Sequence, residues 1–437
     1  MTHVQSDGSM MITPQLIAQL AATTAHPELP HATGATFHSA RVRHGDIFFA
    51  LPGAAEHGIE HAQSAIERGA AFVVSDRDHP RGMTVADPEA VLLALGRHAR
   101  SQLKAPVVAI SGSVGKTSTK AFTAAALDAF ASEGNLNTPR ALACTLVTAW
   151  LADPRRPLVL ELGIDRPGEM DELLDLVEPT HGLLTAIAES HLEQLKDIEG
   201  VAREKALLLE RSTERFASSC AAEQLPVALP GLIRYGLGAH AEVRGKTSSS
   251  DGVQLLEALG VKVELRYPGR AMARNALGAL TLAWRLGLDL SAAAARIGQA
   301  QLEPGRLERK HRGDIIILDD SYNSNPASAR EALEVLSKCP RPRCAILGDM
   351  LELGAHAGRL HRELGAATLG FDLIVAVGPL ARHIREGNPD ALHRESVEQA
   401  LPLLGRLPQD ATVLVKGSRG MRLERMVAAL MEGEAQE

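Results

Sequence analysis

A glycine-rich segment that ends in a lysine and a threonine carries the clearest chemical signal in the sequence. Residues 111–117 read SGSVGKT and follow an apolar run at 106–110. The two glycines let the backbone turn its N–H groups toward a polyphosphate, Lys116 brings a positive charge to the outer phosphates, and the Thr117 hydroxyl is a ligand for Mg²⁺. The pattern therefore predicts binding of ATP or GTP. It assigns the nucleotide to Gly112, Ser113, Gly115, Lys116, Thr117 and Ser118.

Two further strand-like runs end in residues that could bind a metal ion. Glu161 closes the run at 158–161, where a carboxylate at the edge of a sheet would reach a cation held by the P-loop threonine. His191 follows the run at 182–187 and would be a direct metal ligand. Each also has an ordinary explanation, because Glu and His after strands are common as solvated or capping residues. The residues alone leave both interpretations open.

Two polar clusters follow strands in the carboxy-terminal third of the chain. Residues 318–326 read LDDSYNSNP, which is more polar side chains than a simple turn needs. Residues 413–419 read VLVKGSR and place two cations directly after a strand. A solvated charged loop explains the second cluster equally well.

The sequence patterns around these residues predict an α/β fold. Strand-like apolar runs alternate with helical patterns, which is typical of βαβ units and largely parallel sheets. Polar residues at the carboxyl ends of such strands meet at the edge where open α/β sheets bind ligands. We expect helices at 61–68 and 120–130 and a loop at 244–252. The predicted strands beyond the one before the P-loop are 46–51, 71–75, 158–161, 182–187, 315–318, 345–347, 373–377 and 413–415.

Composition indicates a multi-domain enzyme of a reducing compartment. A chain of 437 residues is too long for one hydrophobic core. The formal charge of −7 gives no electrostatic reason to expect nucleic acid or an anionic membrane as partner. The four cysteines form no C-x-x-C pair, which favours free thiols over disulfides or metal ligands. Because neither a membrane span nor a signal peptide is recognisable, the cytoplasm is the expected location.

Several short motifs occur in an order that resembles the Mur ligase family, the ATP-dependent amide ligases that extend the peptidoglycan stem peptide. The shortened P-loop of that family would explain why Ile110 stands where other P-loops carry a small residue. The motifs are SGSVGKT at 111–117, GNLN at 134–137, ELG at 161–163, HLE at 191–193, ARNA at 273–276 and PGR at 304–306.

Three carboxy-terminal motifs resemble one type within this family. They are DDSYNSNP at 319–326, LGDMLELG at 347–354 and LVKGSR at 414–419. That type adds D-alanyl-D-alanine to UDP-N-acetylmuramoyl-tripeptide, and the DNPR signature of the type that adds diaminopimelate or lysine is absent. The resemblance therefore implies ATP and Mg²⁺ as cofactors and these two molecules as substrates of a protein that we expect to be a monomer.

The resemblance also implies a three-domain α/β architecture. Residues 1–103 would form a UDP-substrate-binding domain, residues 104–307 a central ATP-binding P-loop domain with a parallel sheet, and residues 308–437 a Rossmann-like domain. Ligands would lie where the three domains meet. Closure of the domains would then exclude water from a reactive intermediate.

Catalytic and metal-binding roles follow by the same resemblance. Lys205 matches a lysine that many family members carbamylate, and a carbamate suits Mg²⁺ because this hard cation prefers oxygen ligands. A solvated helical lysine is the alternative, and the nearby Arg203 leaves the correspondence open. The implied catalytic residues are Lys116, Glu161, His191 and Lys205, and the implied Mg²⁺ ligands are Thr117, Glu161, His191 and Lys205.

The remaining site residues are divided between nucleotide and substrates. Asn275, Arg306, Asp320, Tyr322 and Asn323 would contact ATP, with Arg306 on the γ-phosphate because a planar guanidinium suits phosphate oxygens. The implied substrate-binding residues are Ser39, Asn137, Thr138, Asn325, Asp349, Lys416 and Arg419.

Two segments depart from the family pattern and concern the UDP substrate. Residues 38–46 read HSARVRHGD and lack the acid and the first arginine of the family's uridine-binding segment, and residues 138–141 read TPRA. Three alternatives therefore stay open. They are a P-loop kinase or switch, a noncatalytic relative, and a ligase that adds a different amino acid.

Overall fold

The computed structural model describes residues 3–4, 10–24, 28–53, 56–250 and 253–433. Within these ranges the chain forms three successive α/β units, each with a parallel or largely parallel sheet. The predicted α/β class is confirmed. Among the described residues, no helix is both long and apolar enough to span a bilayer.

The amino-terminal unit is built on a small parallel sheet. Its elements are β1 (His3–Val4), β2 (Met10–Met11), α1 (Pro14–Leu20), β3 (Gly34–Thr36), β4 (Asp46–Phe49), α2 (Ala62–Glu67), β5 (Phe72–Ser75), β6 (Gly82–Thr84) and α3 (Pro88–Gln102). Strands β3 to β6 pair in chain order, and every residue of β4 and β5 is buried. Continuous burial is typical of parallel strands that are covered on both faces.

The central unit contains the P-loop. Its elements are β7 (Val107–Ser111), α4 (Lys116–Leu127), β8 (Phe130–Ala131), α5 (Pro139–Ala152), β9 (Leu158–Glu161), α6 (Glu169–Val177), β10 (His181–Leu184), α7 (Leu192–Leu195), α8 (Ile198–Glu210), β11 (Glu214–Ser218), α9 (Ser219–Ala222), β12 (Leu232–Gly236), β13 (Val243–Arg244), β14 (Lys246–Ser250), β15 (Val253–Ala258), β16 (Val261–Leu265), α10 (Arg270–Arg285) and α11 (Leu290–Gln299). The main sheet has the parallel order β13-β12-β11-β10-β7-β9-β8.

The strand order of the central sheet explains where its polar residues meet. Strand β7 lies between β9 and β10, so the chain leaves it in one direction and later returns on its other side. This switch point opens a crevice at the carboxyl ends of the strands. The P-loop follows β7, Glu161 ends β9, and His191 lies seven residues after β10. The topology therefore brings together three groups that are distant in sequence.

The carboxy-terminal unit has a second switch point. Its elements are β17 (Glu308–Arg312), β18 (Ile315–Asp320), α12 (Pro326–Ser337), β19 (Arg343–Gly348), α13 (Ala357–Ala366), β20 (Leu373–Val377), α14 (Ile384–Gly387), β21 (Leu392–Arg394), α15 (Val397–Ala400), β22 (Thr412–Lys416) and α16 (Glu424–Glu432). The order is β17-β18-β22-β19-β20-β21, parallel except for β17. Strand β22 is thus inserted between β18 and β19, which brings Lys416 beside Asp320.

The structure changes several local predictions. The strands expected at 46–51 and 182–187 end at Phe49 and Leu184. The helix expected at 120–130 begins at Lys116 and ends at Leu127, because the P-loop passes directly into its first turn. Part of the loop expected at 244–252 is strand β14, which pairs antiparallel with β15 in a separate three-stranded sheet. The sequence KTSSS of β14 has no apolar residue to signal a strand. Asp251 and Gly252 lie outside the described residues, and the domain boundaries stay a prediction.

Candidate active site

The P-loop has the backbone geometry that its glycines predict. Gly112 has φ +147°, and a Cβ there would lie 2.0 Å from the Thr185 hydroxyl oxygen. Gly115 has φ +84°, and a Cβ there would lie 2.7 Å from the side-chain oxygen of Asn275. Glycine is therefore required at both positions by backbone conformation and by close packing. The second contact also places Asn275, predicted from sequence to bind ATP, against the loop.

Lys116 points back into the loop. Its Nζ donates a hydrogen bond to the Gly112 carbonyl oxygen at 2.8 Å. Burial lowers the pKa of Lys116, and the nearby Glu161 carboxylate opposes this shift. The ammonium is thus held beside the backbone that would cradle phosphate.

Glu161 is a buried carboxylate with a free oxygen. Its residue is only 2% exposed, and Oε2 has no hydrogen-bond partner among the described residues. A buried carboxylate oxygen without a partner is costly unless a cation or donor binds it. Thr117 is also buried, and its hydroxyl accepts a hydrogen bond from Arg306 at 3.1 Å. These oxygens are the ligand type that Mg²⁺ prefers.

His191 faces two carboxylates that sequence analysis did not select. Its Nδ1 lies 2.7 Å from Glu352 Oε2 and 3.0 Å from Asp165 Oδ1. Both contacts are ion pairs when the imidazole is protonated, and the contact with His191 lowers the pKa of the Glu352 carboxyl. Two sequence features could have identified them. Asp165 lies just after the ELG motif, and Glu352 lies within the LGDMLELG motif.

Lys205 lies within the protein on helix α8. It is 1% exposed, and no hydrogen bond or ion pair of its side chain is found among the described residues. Burial, with a further contribution from the charge of Lys116, lowers the pKa of Lys205 to about 7. A solvated helical lysine, the alternative left open by the sequence, is therefore wrong, whereas the predicted carbamate remains a prediction. Arg203 on the same helix is exposed.

Arg306 links the segment between the last two units to the P-loop. Its guanidinium carbon lies 3.9 Å from the centroid of the Tyr322 ring, and Nη2 donates to Thr117. Stacking on an aromatic face orients a planar guanidinium and restricts its rotamers. The predicted nucleotide residues Arg306 and Tyr322 are thus in direct contact.

Asp320 and Lys416 form a buried ion pair at the second switch point. Lys416 Nζ lies 2.6 Å from Asp320 Oδ2 and also donates to the Asn323 carbonyl oxygen at 2.9 Å. The other Asp320 oxygen accepts from the backbone N–H of Leu307 at 3.1 Å. Burial raises the pKa of Asp320, and the Lys416 ammonium opposes that shift. Most of the bonding capacity of this pair is therefore satisfied within the protein.

Of the other predicted substrate residues, Asn325 and Asp349 are also engaged in structural bonds. Asn325 caps helix α12 by accepting from the Ser328 N–H and donates to the Ser113 carbonyl oxygen at 3.1 Å. Asp349 is buried and accepts from the Ala381 N–H at 2.6 Å. Arg419 differs, because its side chain is 63% exposed and forms an ion pair at the surface with Glu424, at 3.4 Å.

Most of these residues line one cavity between the central and carboxy-terminal units. Four of the predicted site residues lie outside its lining within the described residues: Gly112, Lys205, Asp349 and Arg419. The lining also contains four residues to which the sequence analysis gave no role: Asn135, Asp165, Arg274 and Glu331. The predicted residues in the lining are Ser113, Gly115, Lys116, Thr117, Ser118, Asn137, Glu161, His191, Asn275, Arg306, Asp320, Tyr322, Asn323, Asn325 and Lys416.

A second cavity lies between the amino-terminal and central units. It is lined by His38, Arg41, Arg43 and Asp46 from the first unit and by residues of 131–148 from the second. Arg41 and Arg43 lie 3.5 and 3.2 Å from the carboxylate of Glu133. Ser39 sits in the short 3₁₀ helix Ser39–Arg41 beside this cavity. Thr138 directly precedes helix α5, makes no side-chain hydrogen bond that caps it, and is in the lining of neither cavity.

Comparison with known proteins gives consistent matches over the whole chain. The Mur ligase middle domain matches residues 110–283, and the domain described as Mur ligase, glutamate ligase domain matches residues 305–419. The Escherichia coli protein named UDP-N-acetylmuramoyl-tripeptide–D-alanyl-D-alanine ligase is 32% identical, with 89% of this chain and 91% of the relative covered. The Rickettsia prowazekii protein of the same name is 28% identical, with 90% and 93% covered.

Solved structures match the arrangement of the three units. A crystal structure of MurF from Acinetobacter baumannii has a TM-score of 0.85 and 25% identity, with 97% of this chain and 100% of that chain covered. A P-loop, an adjoining carboxylate and a facing Rossmann-like unit define a class of nucleotide-dependent ligases. The chain belongs to the Mur ligase family.

Proposed function

We propose that this protein joins D-alanyl-D-alanine to UDP-N-acetylmuramoyl-tripeptide with hydrolysis of ATP to ADP and phosphate. The observation that carries the proposal is the cavity in which Lys116 and Glu161 of the central unit face Arg306, Tyr322 and the ends of β18 and β22. The names of the relatives support the particular substrates. A P-loop kinase or switch would not require the second set of residues.

The cofactors fit the groups on one side of this cavity. The free oxygen of Glu161 and the hydroxyl of Thr117 would hold Mg²⁺, which when bound would neutralise charge on the phosphates. Lys116 would leave the Gly112 carbonyl oxygen and contact the outer phosphates. Arg306, already fixed against Tyr322, would reach the γ-phosphate. Asn275, Asp320 and Asn323 stay proposals for the rest of the nucleotide.

Amide formation explains why such an arrangement is needed. A carboxylate is a poor acyl donor, so the γ-phosphate is transferred to the terminal carboxylate of the tripeptide to give an acyl phosphate. The free amine of the dipeptide then attacks the carbonyl carbon, the C–O bond to phosphate breaks, and the ammonium proton passes to solvent. The protein contributes mainly by positioning and charge neutralisation. Contacts between the two units would keep water from the acyl phosphate.

The burial and the lowered pKa of Lys205 support the proposed carbamate. An amine reacts with CO₂ only when it is neutral, and the burial that lowers the pKa of Lys205 to about 7 makes the neutral form accessible. The product is a negative oxygen ligand in place of an ammonium. Such a ligand would suit the cation that His191 is proposed to bind.

The second cavity is the proposed site for the UDP part of the acceptor. Arg41 and Arg43 are the only cations in the lining among the described residues other than the titratable His38, and both face Glu133. A diphosphate would compete with Glu133 for these guanidinium groups. This would compensate for the family residues missing at 38–46. Ser39 and Thr138 flank the site, and Asn137 belongs to the ATP-side cavity.

Arg419 is the stronger candidate for the terminal carboxylate of the dipeptide. Both Lys416 and Arg419 were assigned to the substrate, but Lys416 is 2% exposed and already bound to Asp320. The Arg419 guanidinium is exposed beside the Tyr322 ring, 5.5 Å from its centroid. A planar guanidinium can bind a carboxylate through two hydrogen bonds. Asn325 and Asp349 would support the loops around this site.

Amine selectivity tests the proposed function. ADP formation is measured at fixed UDP-tripeptide with D-alanyl-D-alanine, D-alanine, L-lysine or diaminopimelate. We expect the dipeptide to give far higher turnover, because a site that binds a charged group strongly rejects molecules that cannot reach it. Equal turnover with lysine or diaminopimelate would assign the chain to a different Mur ligase type. No amine-dependent ADP formation at all would indicate a noncatalytic relative.

We also propose a cytoplasmic location and a monomeric protein. All four cysteines are free thiols, which suits the reducing cytoplasm. A monomer is proposed because one chain supplies both sides of the main cavity.

A further inference from the structure

Lys120 is a buried lysine on the helix that follows the P-loop, and the proposed reaction assigns it no role. It lies one turn after Lys116 on α4 and is 4% exposed. Its Nζ donates to the Ser132 carbonyl oxygen at 2.8 Å and also to the Gly134 carbonyl oxygen. Lys120 lines neither cavity within the described residues. Its ammonium instead binds the backbone of the loop between β8 and α5.

This loop, at 132–137, reaches both cavities. Asn135 and Asn137 line the cavity of the P-loop, whereas Glu133 and Leu136 line the second cavity. One short segment of the central unit therefore forms part of the wall of both sites.

Both sides of the loop are in contact with site residues. A Cβ at Gly163 would lie 2.2 Å from the side-chain nitrogen of Asn137, so Asn137 packs against the backbone two residues beyond Glu161. On the other side, Glu133 forms ion pairs with the two arginines of the second cavity. A shift of the loop would therefore move polar groups in both sites at once.

The two hydrogen bonds of Lys120 restrict this loop. Ser132 and Gly134 flank Glu133 in the sequence, so their contacts with Lys120 fix the residue that pairs with the arginines. A buried ammonium that left these two oxygens would lack both water and a partner, which is costly. The loop is therefore held against α4, the helix that begins at the P-loop.

We propose that Lys120 is a positioning residue for the acceptor, because it holds the 132–137 loop in the geometry in which the UDP end and the reacting carboxylate of the tripeptide are aligned. The inference deepens the proposed function and rests on it for the identity of the acceptor. Alignment matters because a misplacement of about 1 Å can lower the rate of a reaction about a hundredfold. Lys120 would act through the loop and would not contact the substrate.

Another cation on the same helix provides a matched control. Arg296 donates from Nε to the Ala125 carbonyl oxygen at 2.8 Å and from Nη2 to the Ala126 carbonyl oxygen at 2.6 Å. It thus also binds two backbone oxygens, but at the end of α4 away from the P-loop. Arg296→Met removes such a cation without changing the 132–137 loop.

Gly134 allows a second variant that reaches the loop without removing the buried charge. Its φ is +51°, whereas proline is fixed near −65°. Gly134→Pro would therefore displace the carbonyl oxygen that Lys120 binds. No atom of the described residues lies within 4 Å of the position of a Cβ at Gly134, so the substitution acts on the loop and not on the core.

The test measures binding of UDP-tripeptide by calorimetry to the full chain saturated with ADP and Mg²⁺, which permits no turnover. We expect Lys120→Met to bind the acceptor about tenfold more weakly, because a loosened loop must be ordered when the acceptor binds. ADP affinity should be unchanged, and Arg296→Met should bind both ligands like the wild type. Wild-type acceptor affinity in Lys120→Met, or an equal loss of ADP affinity, would overturn the proposal.

Gly134→Pro tests whether the loss arises in the loop. It should weaken acceptor binding as Lys120→Met does, and the double variant should lose nothing further, because both changes break one contact. Losses that multiply in the double variant would contradict the proposal. If Lys120→Met does not fold, Gly134→Pro decides alone, and wild-type acceptor affinity in that variant would also contradict it.

Amine-dependent ADP formation by the wild type separates this inference from the proposed function. If the reaction occurs while Lys120→Met and Gly134→Pro keep wild-type acceptor affinity, only this inference fails. If acceptor binding depends on Lys120 but no amine supports ADP formation, only the proposed function fails. A wild-type protein that does not bind UDP-tripeptide overturns the inference whatever its ADP formation.

Discussion

The two cavities of the protein differ in how their polar groups are held. Around the P-loop, the polar side chains are largely buried and bonded to one another, as in the contacts of Arg306 with Thr117 and of Lys416, at the end of β22, with Asp320, at the end of β18. In the cavity of the amino-terminal unit, Arg41 and Arg43 lie on a short helix and a loop, are largely exposed, and pair with Glu133 across the boundary between units.

This difference predicts how strongly a substitution in each cavity affects the protein. A buried charge that loses its partner cannot be solvated, so a single substitution in the first cavity has a large cost. An exposed ion pair contributes little to stability, because water replaces the lost partner. We therefore expect substitutions around the P-loop to affect catalysis or folding strongly, and substitutions in the second cavity to affect mainly the binding of the UDP substrate.

The largest effect is expected for Lys116→Ala. Loss of a charge that contacts the phosphates in the transition state should lower turnover by roughly a thousandfold. ADP formation is measured together with thermal unfolding, which should change little. Near-normal ADP formation by the folded variant would remove the P-loop from the proposed chemistry.

Lys205→Ala should be nearly inactive and partly restored by added acetate. A small carboxylate would take the place of the carbamate as an oxygen ligand. Arg203→Ala is the matched control, since Arg203 is on the same helix but exposed, and it should retain activity without any response to acetate. An active Lys205→Ala enzyme that acetate does not affect would exclude Lys205 from the site.

Asp320→Asn should reduce the free energy of unfolding by about 3–5 kcal/mol, because it leaves the buried Lys416 ammonium without its counterion. Denaturant unfolding measures the change. Asp314→Asn, an exposed residue just before β18, should be within about 0.5 kcal/mol of the wild type. A similarly small effect of Asp320→Asn would mean that the pair does not stabilise the second switch point.

The smallest effect is expected for Arg43→Ala. We expect KM for the UDP-tripeptide to rise about tenfold with little change in kcat, because the guanidinium would bind the substrate equally in ground and transition states. Arg77→Ala is the control, since Arg77 also forms an exposed ion pair in the amino-terminal unit, with Glu60 at 3.7 Å. A loss of kcat at unchanged KM would argue against a UDP site in the second cavity.

The sequence predicted the first cavity better than the second for a physical reason. Strands β9 and β20 have the predicted bounds, because short apolar runs are easy to recognise as buried strands. The polar residues at the ends of such strands can be found from the sequence, as Glu161 and Asp320 were. Arg43 and Glu133 could not be paired in this way, because they are 90 positions apart and belong to irregular segments. Strand β14 was missed because its residues are polar and its partners, rather than its composition, make it a strand.

The sequence by itself determined the nucleotide loop, the α/β class and the order of the motifs, since each depends on local residue types and spacing. Tertiary structure decided which charged side chains are exposed and which are bound within the protein. Lys416 and Arg419 are equivalent cations in the sequence, but only Arg419 is exposed, because β22 enters the sheet beside β18 and brings Lys416 against Asp320. Glu352 reaches His191 because the carboxy-terminal unit packs against the central one. Burial and long-range pairing depend on how the strands are ordered in the sheet, and local sequence patterns do not encode that order.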